Sequence, residues 1–282
     1  MTLLRTILGL LMLCCAVNSH AAERLVVAGG SLVELVYALG AGSSVVAVDQ
    51  TTTFPPQTVR LPHISNWQQL SSEGILSLRP DCFITWQDAG PPLVLKQLRA
   101  KGVSILALPR VPATVEQLYA NIRQLAQRLH RVASGEALIS RIRHKLTRAI
   151  DGSRRHTTPL RGIFILAPGG GAPMVAGQGS VADAILQLAG VRNLAQHWQY
   201  KRYSAEALAA ANPDVIIVTR EMYQGGLARL RAIGGITYTA AWRHKRIVVI
   251  DQSLILGMGP RVADAVHILH RQLWPGQKDL EN

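Results

Sequence analysis

The sequence predicts an α/β protein built from two similar α/β lobes joined by one long interdomain helix. Three observations carry that expectation. Short β-branched runs alternate with helical stretches, the grammar of strands layered against helices. One phrase occurs twice with identical internal spacing: Ser71, Glu73, Pro80 and Asp81 precede the apolar run 82–86, and Ser204, Glu206, Pro213 and Asp214 precede the run 215–219. Between the copies lies a long helical region, 114–129 and then 134–150. Its second part carries Leu138, Ile139, Ile142, Leu146 and Ile150 at helical spacing.

Taken in order, residues 1–22 read as a signal peptide. Arg5 precedes an apolar run at 7–17, and Ala21 and Ala22 supply small residues for cleavage. The run is shorter than the roughly 20 apolar residues a membrane span requires. Strands are expected at 25–28, 45–48, 82–86 and 103–108. Helices are expected from Ser31 as cap through Leu39, at 71–78, and from Pro91 or Pro92 to Gly102. Past the long helices come strands at 163–166, 215–219 and 247–250 and helices at 181–189 and 262–273. In each copy of the repeated phrase Ser caps a short helix, Glu sits at the positive helix end, and Pro stops the helix before a buried strand. A weaker echo pairs Gly30-Ser31 with Gly179-Ser180. The resulting organisation is a first lobe at 23–130, an interdomain helix at 131–153 and a second lobe at 154–282, with a ligand crevice between the lobes.

Composition narrows the function classes. Removal of the leader leaves about 260 residues, enough for two ordinary lobes. Cys82 is then the sole cysteine, in an apolar stretch, and reads as core. The chain holds 30 Lys and Arg against 17 Asp and Glu. These charges are scattered and no aromatic stacking pattern accompanies them, which argues against nucleic acid. The densest basic patches, 141–148 and 154–156, fall on a helix face and its exit. No Gly-x-Ser-x-Gly elbow, His-Glu-x-x-His or Walker lysine points to an enzyme.

Several phrases, in order, resemble one known group. They are residues 30–42 (Gly-Ser-Leu-Val-Glu-Leu-Val-Tyr-Ala-Leu-Gly-Ala-Gly), 70–78 (Leu-Ser-Ser-Glu-Gly-Ile-Leu-Ser-Leu), Ala89-Gly90-Pro91-Pro92, 173–180 (Pro-Met-Val-Ala-Gly-Gln-Gly-Ser) and Leu256-Gly257-Met258-Gly259-Pro260-Arg261. Together they resemble the haem-binding branch of the periplasmic binding proteins with a single interdomain helix, whose relatives carry cobalamin and siderophores. The resemblance implies a monomeric periplasmic component of an ABC importer that binds haem as transported ligand, with no cofactor of its own. Cobalamin or an iron-siderophore is the alternative cargo. It also implies that Glu73 and Glu206 dock on a permease dimer in the inner membrane. The chain departs from the group at three places. Asn66 stands where the iron-ligating Tyr is usual, Gln68 where an Arg often meets a propionate, and Pro168 where some members carry a His.

A flat apolar disc with carboxylates at one edge asks for aromatic walls, a rim cation and an optional iron donor. The candidate ligand-binding residues are accordingly Asn66, Trp67, Trp86, Tyr200, Arg202, Met258 and Arg261, with Arg261 meeting a propionate. His63, Tyr200, Met174 and Met258 are the available iron donors by chemistry, unranked, and His63 is carried as the metal candidate. His267 and His270, three apart on the last helix, read as surface residues.

Overall fold

The computed structural model describes residues 23–153, 160–167 and 173–274. The leader, the basic stretch 154–156, and Pro168 with the following glycines lie outside these residues.

Strands β1 (Leu25–Val27), β2 (Val45–Asp49), β3 (His63–Ile64), β4 (Cys82–Trp86) and β5 (Ser104–Leu108) form a five-stranded sheet in the order β3-β2-β1-β4-β5, every pair parallel. Central strands β1 and β4 are buried along their whole length, which is why they read as unbroken apolar runs. Alternate residues serve opposite faces. Val26 and Phe83 pack in one cluster, while Leu25, Val27, Cys82 and Ile84 pack in the other. Cys82 is fully buried, as its apolar context predicts. Helices α1 (Gly30–Ala38), α2 (Ser72–Leu76), α3 (Pro92–Ala100) and α4 (Val115–Arg128) complete this lobe.

Helix α5 (Val132–Ser153) runs for 22 residues, about 33 Å at helical rise. It packs on α4 at one end and on the last helix, α12 (Val262–Leu273), at the other. The stripe Leu138, Ile139, Ile142 and Leu146 is buried as its spacing predicts. Gly135 permits the close approach to α4, since a Cβ there would come within 2.6 Å of Ala126 Cβ.

The second sheet holds β6 (Leu160–Leu166), β7 (Met174–Ala176), β8 (Val191–Asn193), β9 (Tyr200–Arg202), β10 (Val215–Thr219) and β11 (Ile247–Ile250). Its order is β11-β10-β6-β7-β9, with β8 alongside β6. Strands β8, β10 and, through it, β11 run parallel to β6, and β7 alone reverses direction, which leaves β9 parallel to β6. Its remaining helices are α6 (Val181–Leu188), α7 (Ala205–Ala211), α8 (Arg220–Tyr223), α9 (Gly226–Arg231), α10 (Ala240–Arg243) and α11 (Gln252–Ile255).

The repeated phrase has a common physical basis in the two lobes. Ser71 Oγ accepts from Gly74 N at 3.3 Å and Ser204 Oγ from Ala207 N at 3.2 Å, capping α2 and α7. Arg79 and Asn212, each just before the proline, adopt left-handed backbone (φ 49° and 40°). Asp81 Oδ2 then accepts from Arg24 N at 2.8 Å, and Asp214 Oδ2 from Arg161 N at 3.2 Å. The same two arginines donate side-chain bonds to carbonyls near the ends of the short helices, Leu78 and Ala211. The phrase is thus a helix-to-strand joint, made once per lobe.

The weaker echo holds only in part. Ser180 caps α6 through Asp183 N, but the cap of α1 is Gly29, at φ 127°, and Ser31 lies inside the helix. Ser31 is buried there because Gly257 and Gly259 of the second lobe press on it; added Cβ atoms would stand 2.9 and 3.0 Å from Ser31 Cβ. His270 is also buried, its ring 5.0 Å from that of Trp274, so it is not the surface residue its sequence position suggests.

Candidate ligand-binding cleft

In the first sheet the chain leaves β1 for β2 on one side and returns to β4 on the other, so the connections part at the C-terminal ends of these strands and open a crevice. The C-terminal edge of the second sheet closes it from the opposite side. The cleft between them has a volume of about 700 Å³ and takes residues from both lobes, within the range of roughly 300–1,000 Å³ usual for small-molecule sites.

Trp86, the last residue of β4, forms part of the first-lobe wall and is 5% exposed. Its indole lies over Gly29, where a Cβ would fall 2.5 Å from Trp86 Nε1, so only glycine leaves room for it. Trp67 sits in the loop after β3. Its N–H donates to buried Asp49 at 3.3 Å and its carbonyl accepts from Gly90 N at 3.0 Å, so the loop is pinned on both sides. Asp49 also accepts from the hydroxyls of Thr51 and Thr52. Arg110, just past β5, lies 4.9 Å from the centroid of the Trp67 ring. Asp88 holds its guanidinium, with Nη2 to Oδ2 at 2.5 Å. This cation over an aromatic face is a favourable electrostatic contact.

The second-lobe wall includes Leu166, Met174, Tyr200, Met222, Leu256 and Met258. The Tyr200 ring packs against the main apolar core. Burial pushes its hydroxyl well above the usual tyrosine range, and the charge of Arg110 across the cleft acts in the opposite direction.

Of the sequence candidates, Asn66, Trp67, Trp86, Met174, Tyr200 and Met258 meet in this cleft. Three others do not line it. His63 is exposed on β3 with Nδ1 2.9 Å from the Leu61 carbonyl, because the short edge strand turns it outward. Arg202 is exposed on β9, two residues past Tyr200. Arg261 is committed elsewhere: Nε donates to Glu34 Oε2 at 2.7 Å and Nη2 to Glu34 Oε1 at 2.5 Å, and its guanidinium stacks 4.0 Å over the Phe54 ring. Burial alone would lower the Arg261 pKa, but hydrogen bonding and attraction from Glu34, with Asp251 and Asp264 nearby, leave it raised. Such a guanidinium ties the lobes together; it is not poised at the rim for a propionate.

Glu73 and Glu206 are exposed in the first turns of α2 and α7. Each helix follows a strand parallel to its lobe's central strand, so the two carboxylates occupy corresponding places at the cleft-side edges. The Ser204 hydroxyl and the backbone N–H of Glu206 hydrogen-bond the Glu206 carboxyl and lower its pKa. Sequence reasoning missed Arg110, and also Asn121, whose Nδ2 donates to the Pro109 carbonyl at 2.8 Å. An Asn on the apolar face of α4 was the available signal. Among the described residues no cluster of three His, Cys, Asp or Glu could hold a bare metal ion.

Two lobes on a stiff helix, facing each other across one aromatic cleft, define a ligand-capturing protein of the two-lobed type. The chain belongs to the periplasmic binding protein family, whose model matches residues 25–254. Among solved structures it is similar to the periplasmic heme-binding protein RhuT from Roseiflexus sp. RS-1 in apo form, at 34% identity and TM-score 0.85, covering 90% of this chain and 100% of that one. It is likewise similar to a periplasmic heme binding protein from Pseudomonas aeruginosa, at 36% identity and TM-score 0.85, covering 92% and 95%. A vitamin B12-binding protein of Photorhabdus laumondii is 24% identical over 246 residues, 86% of this chain and 85% of the relative.

Proposed function

We propose that this protein is the substrate-binding component of an ABC importer, that it captures haem between its lobes in the periplasm, and that it delivers the haem to an inner-membrane permease. The observation that carries this reading is the cleft. Two tryptophans and a tyrosine offer flat apolar faces in about 700 Å³, and Arg110 supplies a cation at the same wall for a carboxylate edge. The heme-binding names of the two relatives above 30% identity support the same cargo. Arg110 takes the rim role first expected of Arg261 or Arg202.

The remaining assignments belong to this reading. Residues 1–22 are a cleaved leader, 23–130 and 154–282 are the lobes, and 131–153 the strut between them. Glu73 and Glu206 dock on arginines of a two-fold permease, one anchor per lobe. The mature protein is a monomer and performs no catalysis. Titration with hemin tests the cargo: saturable binding with a shifted Soret band is expected, and the absence of both would refute it. Cobalamin is the second reading, favoured by one observation. Asn66, not a tyrosine, stands beside Trp67, and a corrin brings a metal that is already ligated and asks no donor of the protein. Tight cobalamin binding without hemin binding would establish that alternative.

A further inference from the structure

Ferric iron held in a flat porphyrin leaves two positions open, above and below the ring. As a hard cation it favours an anionic oxygen there. No histidine is among the described residues that line the cleft; His197, in the second lobe, instead places Nε2 3.1 Å from the Val175 carbonyl. The lining donors are therefore thioethers, carboxylates and one phenol. Met222 Sδ already accepts from Ala167 N at 3.2 Å, and thioethers are soft. Glu34 is bound by Arg261. Glu221 is exposed on the four-residue helix α8. Tyr200 differs from all of these. Its ring is fixed against the apolar core, its hydroxyl has no hydrogen-bond partner among the described residues, and Arg110 faces it from the opposite lobe.

We infer that Tyr200 Oη is the axial oxygen donor to the ferric iron of bound haem, with the Arg110 guanidinium beside it as the stabilising countercharge. This rests on haem as the cargo. As the iron–oxygen bond forms, the hydroxyl proton leaves to solvent, and the iron stays ferric. The tyrosine absent from position 66 in the first lobe is thereby replaced by one from the second, so the ligand bond itself closes the cleft across the two lobes.

The test compares hemin with metal-free protoporphyrin IX in wild-type protein, Tyr200→Phe and Arg110→Leu. The expected result is a phenolate-to-iron charge-transfer band in wild type that disappears in Tyr200→Phe. Hemin affinity falls more than about tenfold in that variant, a loss of the size that disrupted metal-site contacts produce, while metal-free porphyrin, which needs only the ring face, loses far less. Arg110→Leu keeps the band but weakens it. An unchanged band and hemin affinity in Tyr200→Phe, or equal losses for both porphyrins, would overturn the assignment while leaving haem capture intact. Wild-type binding of neither porphyrin would overturn haem capture itself. Should Tyr200→Phe fail to fold, resonance Raman spectra of the wild-type hemin complex with ring-deuterated tyrosine decide the point, and absence of isotope-sensitive tyrosinate modes overturns the proposal.

Discussion

Replacing Arg261 by Met leaves Glu34 buried without its partner. The Glu34 side chain is 4% exposed and that of Arg261 23% exposed, so water cannot take over the lost bonds. Removing one member of a buried pair costs about 3–5 kcal/mol, and the residual exposure on the Arg261 side places the expectation near the lower figure. The loss depends on pH. Burial already raises the Glu34 carboxyl, against the opposing hydrogen bond and charge of Arg261; without Arg261 it rises further. A carboxyl with a folded pKa above its unfolded value favours the folded state below the unfolded pKa, and that benefit fades as pH climbs through the folded pKa. The deficit of Arg261→Met should therefore be largest near neutral pH and shrink toward acid. Urea unfolding at pH 7.5 and pH 5 measures both. The double variant Glu34→Leu with Arg261→Met should recover most of the stability, since two apolar groups leave no orphaned charge. A neutral-pH loss below about 1 kcal/mol, the range of exposed pairs, or a double variant as unstable as the single one, would refute the reasoning.

Three further outcomes follow from the geometry. Gly29→Ala adds a Cβ at 2.5 Å from Trp86 Nε1 and strains a φ of 127°; a loss of about 1–3 kcal/mol and weaker ligand binding should appear together in thermal melts and titrations. Glu73→Lys and Glu206→Lys should leave ligand affinity unchanged and abolish stimulation of the permease ATPase in reconstituted vesicles; retained stimulation would remove the docking role. Asp81→Ala and Asp214→Ala break the same joint in different lobes, each removing an acceptor for a backbone N–H. Their unfolding losses should be similar, about 1–3 kcal/mol, and a cost confined to one lobe would show that the joints are not equivalent.

The sequence revealed those features whose causes are local. Ser71 and Ser204 cap helices within three residues, and the stripe on α5 is a matter of period alone, so both were readable. Trp67 and Trp86 were placed correctly because each flanks a strand end, which parallel topology sends to the cleft. Arg261 was misread because its partner Glu34 lies 227 residues away, and no local pattern announces such a pairing. Arg110 escaped notice for the same reason. Its position over Trp67 and beside Asp88 depends on the pairing of β4 with β5. Strands β7 and β9 have three residues each, too few for alternation to declare itself, and Ser31 was taken for a cap because its buried surroundings come from the other lobe.

The contact of Gly257 and Gly259 with Ser31 makes the heel of the cleft a fulcrum. Any methyl group inserted there acts as a wedge, and the displacement grows with distance from the pivot, reaching its maximum at the mouth. The aperture offered to a cargo is therefore governed partly by residues far from its rim. A lineage of such proteins could adapt to thicker or thinner molecules by exchanging glycine for alanine at the heel, with every aromatic wall left untouched.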